Sequence, residues 1–174
     1  MRYLTLQALR PETPVLGIHI LDRKAQFVDD GNTPVCYSTI PQSGRAVAKV
    51  LQLPVITPPG GGPSLSDYAN NYVYLRSVSV SQNEILASAQ RATGTAPEDW
   101  TVTYTPVDDY IAQGREMLKA GNHYGVVPIL YGSVLKKGFG NQFFGRELAN
   151  EKLGLKDEDL DEITKEALVA AVHQ

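Results

Sequence analysis

The residue types best able to do chemistry are concentrated between Asn122 and Phe144, in the run NHYGVVPILYGSVLKKGFGNQFF. His123 carries an imidazole whose ordinary pKa, about 6.5, suits a general acid or base near neutrality. Tyr124 and Tyr131 carry phenols that could donate to a carbonyl or phenol substrate. The two tyrosines are seven residues apart, two turns along one face of a continuous helix, and His123 is one position off that line. Val127, Leu130, Val134, Phe139, Phe143 and Phe144 supply apolar bulk around them. A few polar groups in an apolar setting is the composition of a small-molecule pocket, and equally of an amphipathic core helix. Pro128 either kinks that helix or marks its first turn.

Other candidates stand alone. His19 alternates with Ile18 and Ile20, so it lies opposite an apolar face, in solvent or in a polar cleft. His173 adjoins the carboxy terminus. Tyr104 and Tyr110 are further phenols that could serve a substrate or be half-buried structural residues. Asp29 and Asp30 form a carboxylate pair, but one set in a turn, where solvated carboxylates are the ordinary reading. Asp157, Glu158, Asp159, Asp161 and Glu162 read as charge at a helix amino terminus. The three histidines have no cysteine pair nearby and no metal-ligand spacing, and no Ser-His-Asp, Cys-His or paired-carboxylate arrangement emerges. The glycine clusters, Gly60-Gly61-Gly62 and Gly138-Phe139-Gly140, lack both GxGxxG and GxxxxGK[ST] spacing. The first lies between prolines, and the second comes after the end of a helix, the wrong polarity for a pyrophosphate. The expectation is a chain that holds no cofactor and no metal.

The elements that must position these groups alternate between strand and helix patterns. Lys24 to Val28 reads as a strand, Asp29 to Asn32 as a turn, and Val35 to Thr39 as the strand returning from it. Gln42 to Leu51 has a helical apolar stripe in Val47, Val50 and Leu51. Tyr72 to Leu75, with Val78, are strand formers. Ser81 and Glu84 have capping-box spacing, Ile85, Leu86, Ala89 and Ala92 share one helical face, and Gly94 is placed as the stop. Trp100 to Thr105 is a third strand region, with Val102 and Tyr104 on one face. Helices come next over Asp108 to Ala120, with Gly121 as stop, over His123 to Lys137, and over Asp159 to Val172. The last has Leu160, Ile163, Ala167, Leu168 and Ala171 as its apolar face. Pro58 to Pro63 must be a loop. The expected fold class is α/β in an α+β arrangement: a small mixed sheet with about five helices, as one domain over residues 1–174.

Composition sets the outer bounds. A chain of 174 residues, 43% hydrophobic and 20% charged, can bury a core as one globular domain. A net charge of −3 offers no basic footprint for nucleic acid and no attraction to an anionic membrane surface. No apolar run approaches the ~18 residues of a spanning helix, and Met1 to Glu12 lacks the apolar stretch of a secretory signal. The single cysteine, Cys36, excludes an internal disulfide and fits a reducing, cytoplasmic setting.

Several segments, taken in order, carry a resemblance. They are Gly17-Ile18-His19 through Arg23-Lys24-Ala25 with Asp30-Gly31-Asn32-Thr33-Pro34, Gly44-Arg45-Ala46-Val47-Ala48, and Asn70 to Gly94. Gln113-Gly114-Arg115-Glu116, Gly138-Phe139-Gly140 and Asn150 to Glu162 complete the set. Together they resemble the carboxy-terminal, substrate-binding half of NmrA-like (isoflavone-reductase-like) proteins, fungal members especially. Ile56 to Asp67 looks like an insertion, and Met1 to Leu16 is unmatched. The resemblance implies that the family's catalytic lysine and nucleotide site belong to a Rossmann half outside this match. It also implies that Asn122 to Phe144 forms a pocket wall for a small aromatic, polyketide-like or terpenoid-like molecule, with His19 and Tyr37 facing the same side. Three functions stay open on that basis. One is a cofactor-independent cyclase, isomerase or lyase of secondary metabolism, another a non-catalytic ligand-binding or regulatory protein, and the last a truncated NAD(P)-dependent reductase. An unpartnered sheet edge would favour a homodimer.

Overall fold

The computed structural model describes residues 16–138 and 146–172. A tight hairpin opens the described chain. Strand β1 (Ile18–His19) runs antiparallel to β2 (Lys24–Val28), with Ile18 opposite Ala25 and His19 opposite Lys24. Gly17 precedes it at φ +74°, where a Cβ would lie 2.1 Å from the Gln26 carbonyl oxygen, so both conformation and space demand glycine. Beyond the short β1, the Val28 amide donates to the side-chain carbonyl of Gln82 at 2.9 Å. The Gln82 amide nitrogen in turn donates to the Leu16 carbonyl at 2.9 Å. A buried side chain thus continues the ladder where the backbone cannot.

The strand over Val35–Tyr37 (β3) does not return along β2 as the turn between them predicts. It pairs antiparallel with β4 (Val78–Val80), Val35 opposite Val80 and Tyr37 opposite Val78. The physical reason lies in the turn. Asn83 donates its backbone N–H to the Gly31 carbonyl and its side-chain amide to the Asp30 carbonyl and the Asn32 side chain. The turn is thereby latched to the start of a helix rather than closed as a hairpin. The place beside β2 is taken by β5 (Thr101–Thr105), parallel to it from Lys24–Thr101 to Val28–Thr105. The result is a three-stranded sheet in the order β1-β2-β5 and a separate two-stranded sheet of β3 and β4. The expected strand over Tyr72 to Leu75 also differs, because its ladder starts only at Val78. The chain before it is held instead by Asn150, whose side chain exchanges two hydrogen bonds with the Arg76 backbone, at 2.9 and 2.7 Å.

Among the described residues five α-helices cover these sheets, and the mixed α+β arrangement agrees with the sequence reading. Helix α1 (Ile40–Leu51) starts at Thr39, whose hydroxyl accepts from the Gln42 amide. Helix α2 (Gln82–Thr93) carries the expected capping box: the Ser81 amide donates to the Glu84 carboxylate at 2.8 Å, and Gly94 stops it at φ 64°. Helix α3 (Val107–Lys119) ends before Gly121, at φ 79°. Its amino terminus has no cap of its own; the Asp29 carboxylate accepts from the Val107 amide at 2.9 Å. Asp29 is therefore a structural cap and not merely a solvated turn residue. Helix α4 (Val126–Leu135) comes after a 3-10 turn over His123–Gly125. Helix α5 (Leu160–Val172) closes the described chain, with Leu160, Ile163, Ala167 and Leu168 against the core as expected. Ala171, His173 and residues 1–15 lie outside the described side chains. The main core joins both sheets to α2, α3, α4 and α5 through Phe27, Ile18, Ile85, Val35 and Trp100. A second, smaller core forms around Ala46, Ala149 and Leu153. Among the described residues no helix is long and apolar enough to cross a membrane.

The acidic run before α5 does more than charge a helix end. The Asp159 carboxylate accepts from the amides of Asp161 and Glu162, which makes it the cap. Its neighbours reach three arginines far apart in the chain: Asp157 pairs with Arg76 in the segment before β4, Glu158 with Arg45 of α1, and Asp161 with Arg91 of α2. Asp161 receives Arg91 through two nitrogens, at 2.9 and 2.6 Å, and the Ser88 hydroxyl at 2.6 Å. The Arg91 and Ser88 hydrogen bonds hold its pKa down at about 2, below the ordinary aspartate value of 3.8. Burial pushes Glu158 upward, but hydrogen bonds from Ser77, Thr39 and Arg45 outweigh it and leave the pKa lowered. A carboxylate depressed in the folded state contributes stability above its unfolded pKa and loses it as pH falls through the folded one. Stability is therefore expected to decline between pH 3.8 and about 2 through Asp161. Asp161→Asn should flatten that part of the pH–stability curve, measured by urea unfolding at stepped pH. An unchanged acid limb in the variant would contradict the assignment.

Candidate functional site

The sequence-predicted wall divides into three environments. His123 and Tyr124 sit on the 3-10 turn before α4, both exposed, and Tyr124 is 67% accessible. The change from 3-10 to α geometry breaks the line expected between Tyr124 and Tyr131. Pro128 falls in the first turn of α4, where its missing N–H costs nothing, so the helix needs no kink there. Val127 and Tyr131 are half-buried, Val134 is in the main core at 3%, and Leu130 faces outward at 49%. Tyr131 lies close to Tyr110 of α3, whose phenol is pushed up by burial and further by Tyr131. Phe139, Phe143 and Phe144 lie outside the described residues. His19 is half-buried on β1, and Tyr37 is buried within β3 at 3%. The described wall thus offers one half-buried phenol pair, Tyr110 and Tyr131, with two exposed polar groups at its near end.

The contact between α3 and α4 is closed by glycine. A Cβ on Gly125 would lie 2.3 Å from the Gly114 carbonyl oxygen, and one on Gly132 would lie 2.6 Å from Ile111. The two helices approach backbone to backbone at Gly114 and Gly125, which leaves no room for a ligand between them there. Lys136, at the end of the helix, is paired with Asp108 at 2.7 Å.

Three clefts on the described surface include none of the described residues of this wall. One, about 360 Å³, runs between α1 and residues 154–158, along Arg45, Lys49 and Leu155. A second, about 610 Å³, is lined by Arg76 and residues 147–152. A third, about 250 Å³, lies between residues 67–74 and 146–152. The buried amide of Gln42 supports the first from beneath, donating to the Lys156 carbonyl at 2.7 Å and accepting from Arg45 at 3.0 Å. Sequence reading passed over Gln42, Gln82 and the three arginines, because nothing adjacent in the chain announces partners so far along it.

A pyrophosphate site needs an α-helical amino terminus directly after a glycine-rich turn. Gly60-Gly61-Gly62 leads instead into a four-residue 3-10 turn, Leu65–Tyr68, which offers none. Among the described residues no group of three or more His, Cys, Asp or Glu side chains could hold a metal ion.

Comparison with known proteins points to fungal oxidoreductases. The chain is 26% identical over 149 residues to the oxidoreductase aprR of Aspergillus flavus, a match covering 85% of this chain and 46% of that protein. It is 25% identical over 158 residues to the oxidoreductase poxI of Penicillium oxalicum, covering 89% of this chain and 46% of the relative. The chain thus spans about half the length of the curated relatives it matches. No protein-family model matches it, and no solved structure does.

Proposed function

We propose that this chain is the substrate-binding part of an NmrA-like, oxidoreductase-type protein, taking a small aromatic, polyketide-like or terpenoid-like molecule and leaving the nucleotide to another part. The observation that carries the reading is the lopsided coverage: the similarity runs over 85% of this chain but only 46% of the oxidoreductase it resembles. The missing dinucleotide fingerprint agrees with it. In this reading the outer side of α4 receives the ligand, Val127 and Leu130 give it apolar contact, and the Tyr131 hydroxyl orients a carbonyl or phenol. His123 and Tyr124 stand at the near end as exchangeable polar groups, His123 as the acid or base.

A second reading, a cofactor-independent cyclisation, isomerisation or elimination within secondary metabolism, is favoured by a different observation. The described residues bury a main core around Phe27 and Ile85, on which α4 is held in place. Such reactions need only binding, orientation and one acid or base.

The test is a panel of phenols and aromatic carbonyl compounds, screened by ligand-observed NMR. Tyr131→Phe removes one hydroxyl at almost constant volume. It should weaken the best ligand about tenfold, the equivalent of ~1.4 kcal/mol, while the protein remains folded. Unchanged affinity in Tyr131→Phe, His123→Ala and Tyr124→Phe together would remove α4 as the binding wall. Product formed without NADPH would favour the second reading. Light scattering on the same samples tests the homodimer; the mass of one 19.0 kDa chain excludes it.

A further inference from the structure

We propose that the cleft between residues 67–74 and 146–152 is a second binding site, for a planar aromatic molecule carrying an anionic group. It stands apart from α4 and does not depend on α4 being a binding wall.

Three tyrosines line this cleft, Tyr68, Tyr72 and Tyr74, together with the cations Arg146 and Lys152. The Tyr72 and Tyr74 rings are 6.0 Å apart and tilted by 40°, and Tyr72 is 79% exposed. An aromatic ring held open to solvent beside another is a surface on which a planar ring can stack. Arg146 lies over Tyr74, its guanidinium carbon 5.7 Å from the ring centre. Among the described residues no carboxylate pairs with Arg146, whereas Lys152 is paired with Glu147 at 2.8 Å. Asp67 is turned to the backbone, its carboxylate accepting from the Ser64 amide at 2.8 Å. Asp67 and Glu147 both act on Lys152, so Arg146 is the cation placed to receive an anion at the edge of an aromatic face.

The buried hydroxyl of Tyr68 is the independent sign. Among the described residues it has no hydrogen-bond partner, a costly state for a buried polar group unless something else supplies one. The 3-10 turn that delivers Tyr68 ends the segment that looks inserted from the sequence. The floor is preformed: Tyr68 and Val73 pack on the small core of Ala46, Ala149 and Leu153, and the Ala149 amide donates to the Tyr74 carbonyl at 2.7 Å. A volume of about 250 Å³ suits one or two fused rings, since a cavity of about 150 Å³ holds a single benzene.

The experiment titrates the chain with 2-naphthoate, with neutral 2-naphthamide and non-aromatic cyclohexanecarboxylate as controls, by calorimetry. Saturable binding of 2-naphthoate is expected, with both controls at least about tenfold weaker. Arg146→Gln should weaken it about tenfold, and Tyr72→Ala several-fold, without lowering Tm. Tyr68→Phe should weaken binding while leaving Tm level or higher, because it removes a hydroxyl that has no partner among the described residues. A merely structural tyrosine would show the opposite, lost stability and unchanged affinity. No saturable binding, affinity indifferent to all three variants, or affinity lost only in Tyr131→Phe would each overturn the proposal.

Discussion

Gly125→Ala is expected to destabilise the protein by about 3 kcal/mol, lowering Tm by roughly 6–12 °C for a chain of this size. The methyl would be placed 2.3 Å from the Gly114 carbonyl oxygen and 2.9 Å from both the Leu118 nitrogen and the Met117 Cβ. Two of these atoms are backbone, so no rotamer change relieves the contact; α3 and the turn before α4 must separate. Gly125 itself has ordinary helical angles, φ −57° and ψ −18°, so alanine incurs no conformational strain and the loss reports packing alone. Gly114→Ala should behave alike, its Cβ meeting the Gly125 oxygen at 2.6 Å, with part of the loss offset by about 1 kcal/mol of helix propensity inside α3. Gly44, in α1, supplies the control. A Cβ there meets nothing within 4 Å, so Gly44→Ala should stabilise by about 0.4–1 kcal/mol. Equal responses at Gly44 and Gly125, read by differential scanning calorimetry, would contradict the close approach of α3 and α4.

Gln82→Leu has the second largest expected effect. The side chain is 1% exposed and of nearly the right volume for leucine, so the change removes polarity more than packing. It orphans the Val28 amide and the Leu16 carbonyl, each buried group costing about 1–3 kcal/mol, for a total of about 3 kcal/mol. The loss has a local signature. Hydrogen exchange at the Val28 amide should accelerate relative to the Asp29 amide, which is held separately by the Thr105 carbonyl at 2.9 Å. Undiminished protection at Val28 in Gln82→Leu would show that the side-chain bridge is not what continues the ladder there.

These two positions mark where the sequence could be read and where it could not. Signals that act within one helical turn were legible. Ser81 and Glu84 capped α2, Gly94 and Gly121 stopped their helices, and Leu160, Ile163 and Ala167 set the buried face of α5. Pairings between distant segments were not legible. Nothing near Val35 indicates that its partner is Val80, or that Asp29 caps a helix beginning at Val107. The arginine–carboxylate pairs around the start of α5 are likewise invisible, because a charge carries no address along the chain. The same limit applies to the candidate sites. The run from Asn122 to Gly138 drew attention through its composition, yet its residues divide among solvent, a half-buried phenol pair and the core. The cleft at Tyr68, Tyr72 and Tyr74 is assembled by the contact of residues 67–74 with 146–152, which no local pattern signals.

Under the proposed function, this chain would bind the substrate side of an oxidoreductase-type reaction and leave the nucleotide to another part. Thermal unfolding of the purified chain in rising NADPH tests it most directly. The expected outcome is a Tm that does not move with NADPH concentration, and no NADPH consumption when aromatic carbonyl compounds are added. A concentration-dependent rise, corresponding to about 2.7 kcal/mol at one hundred times the dissociation constant, would contradict it.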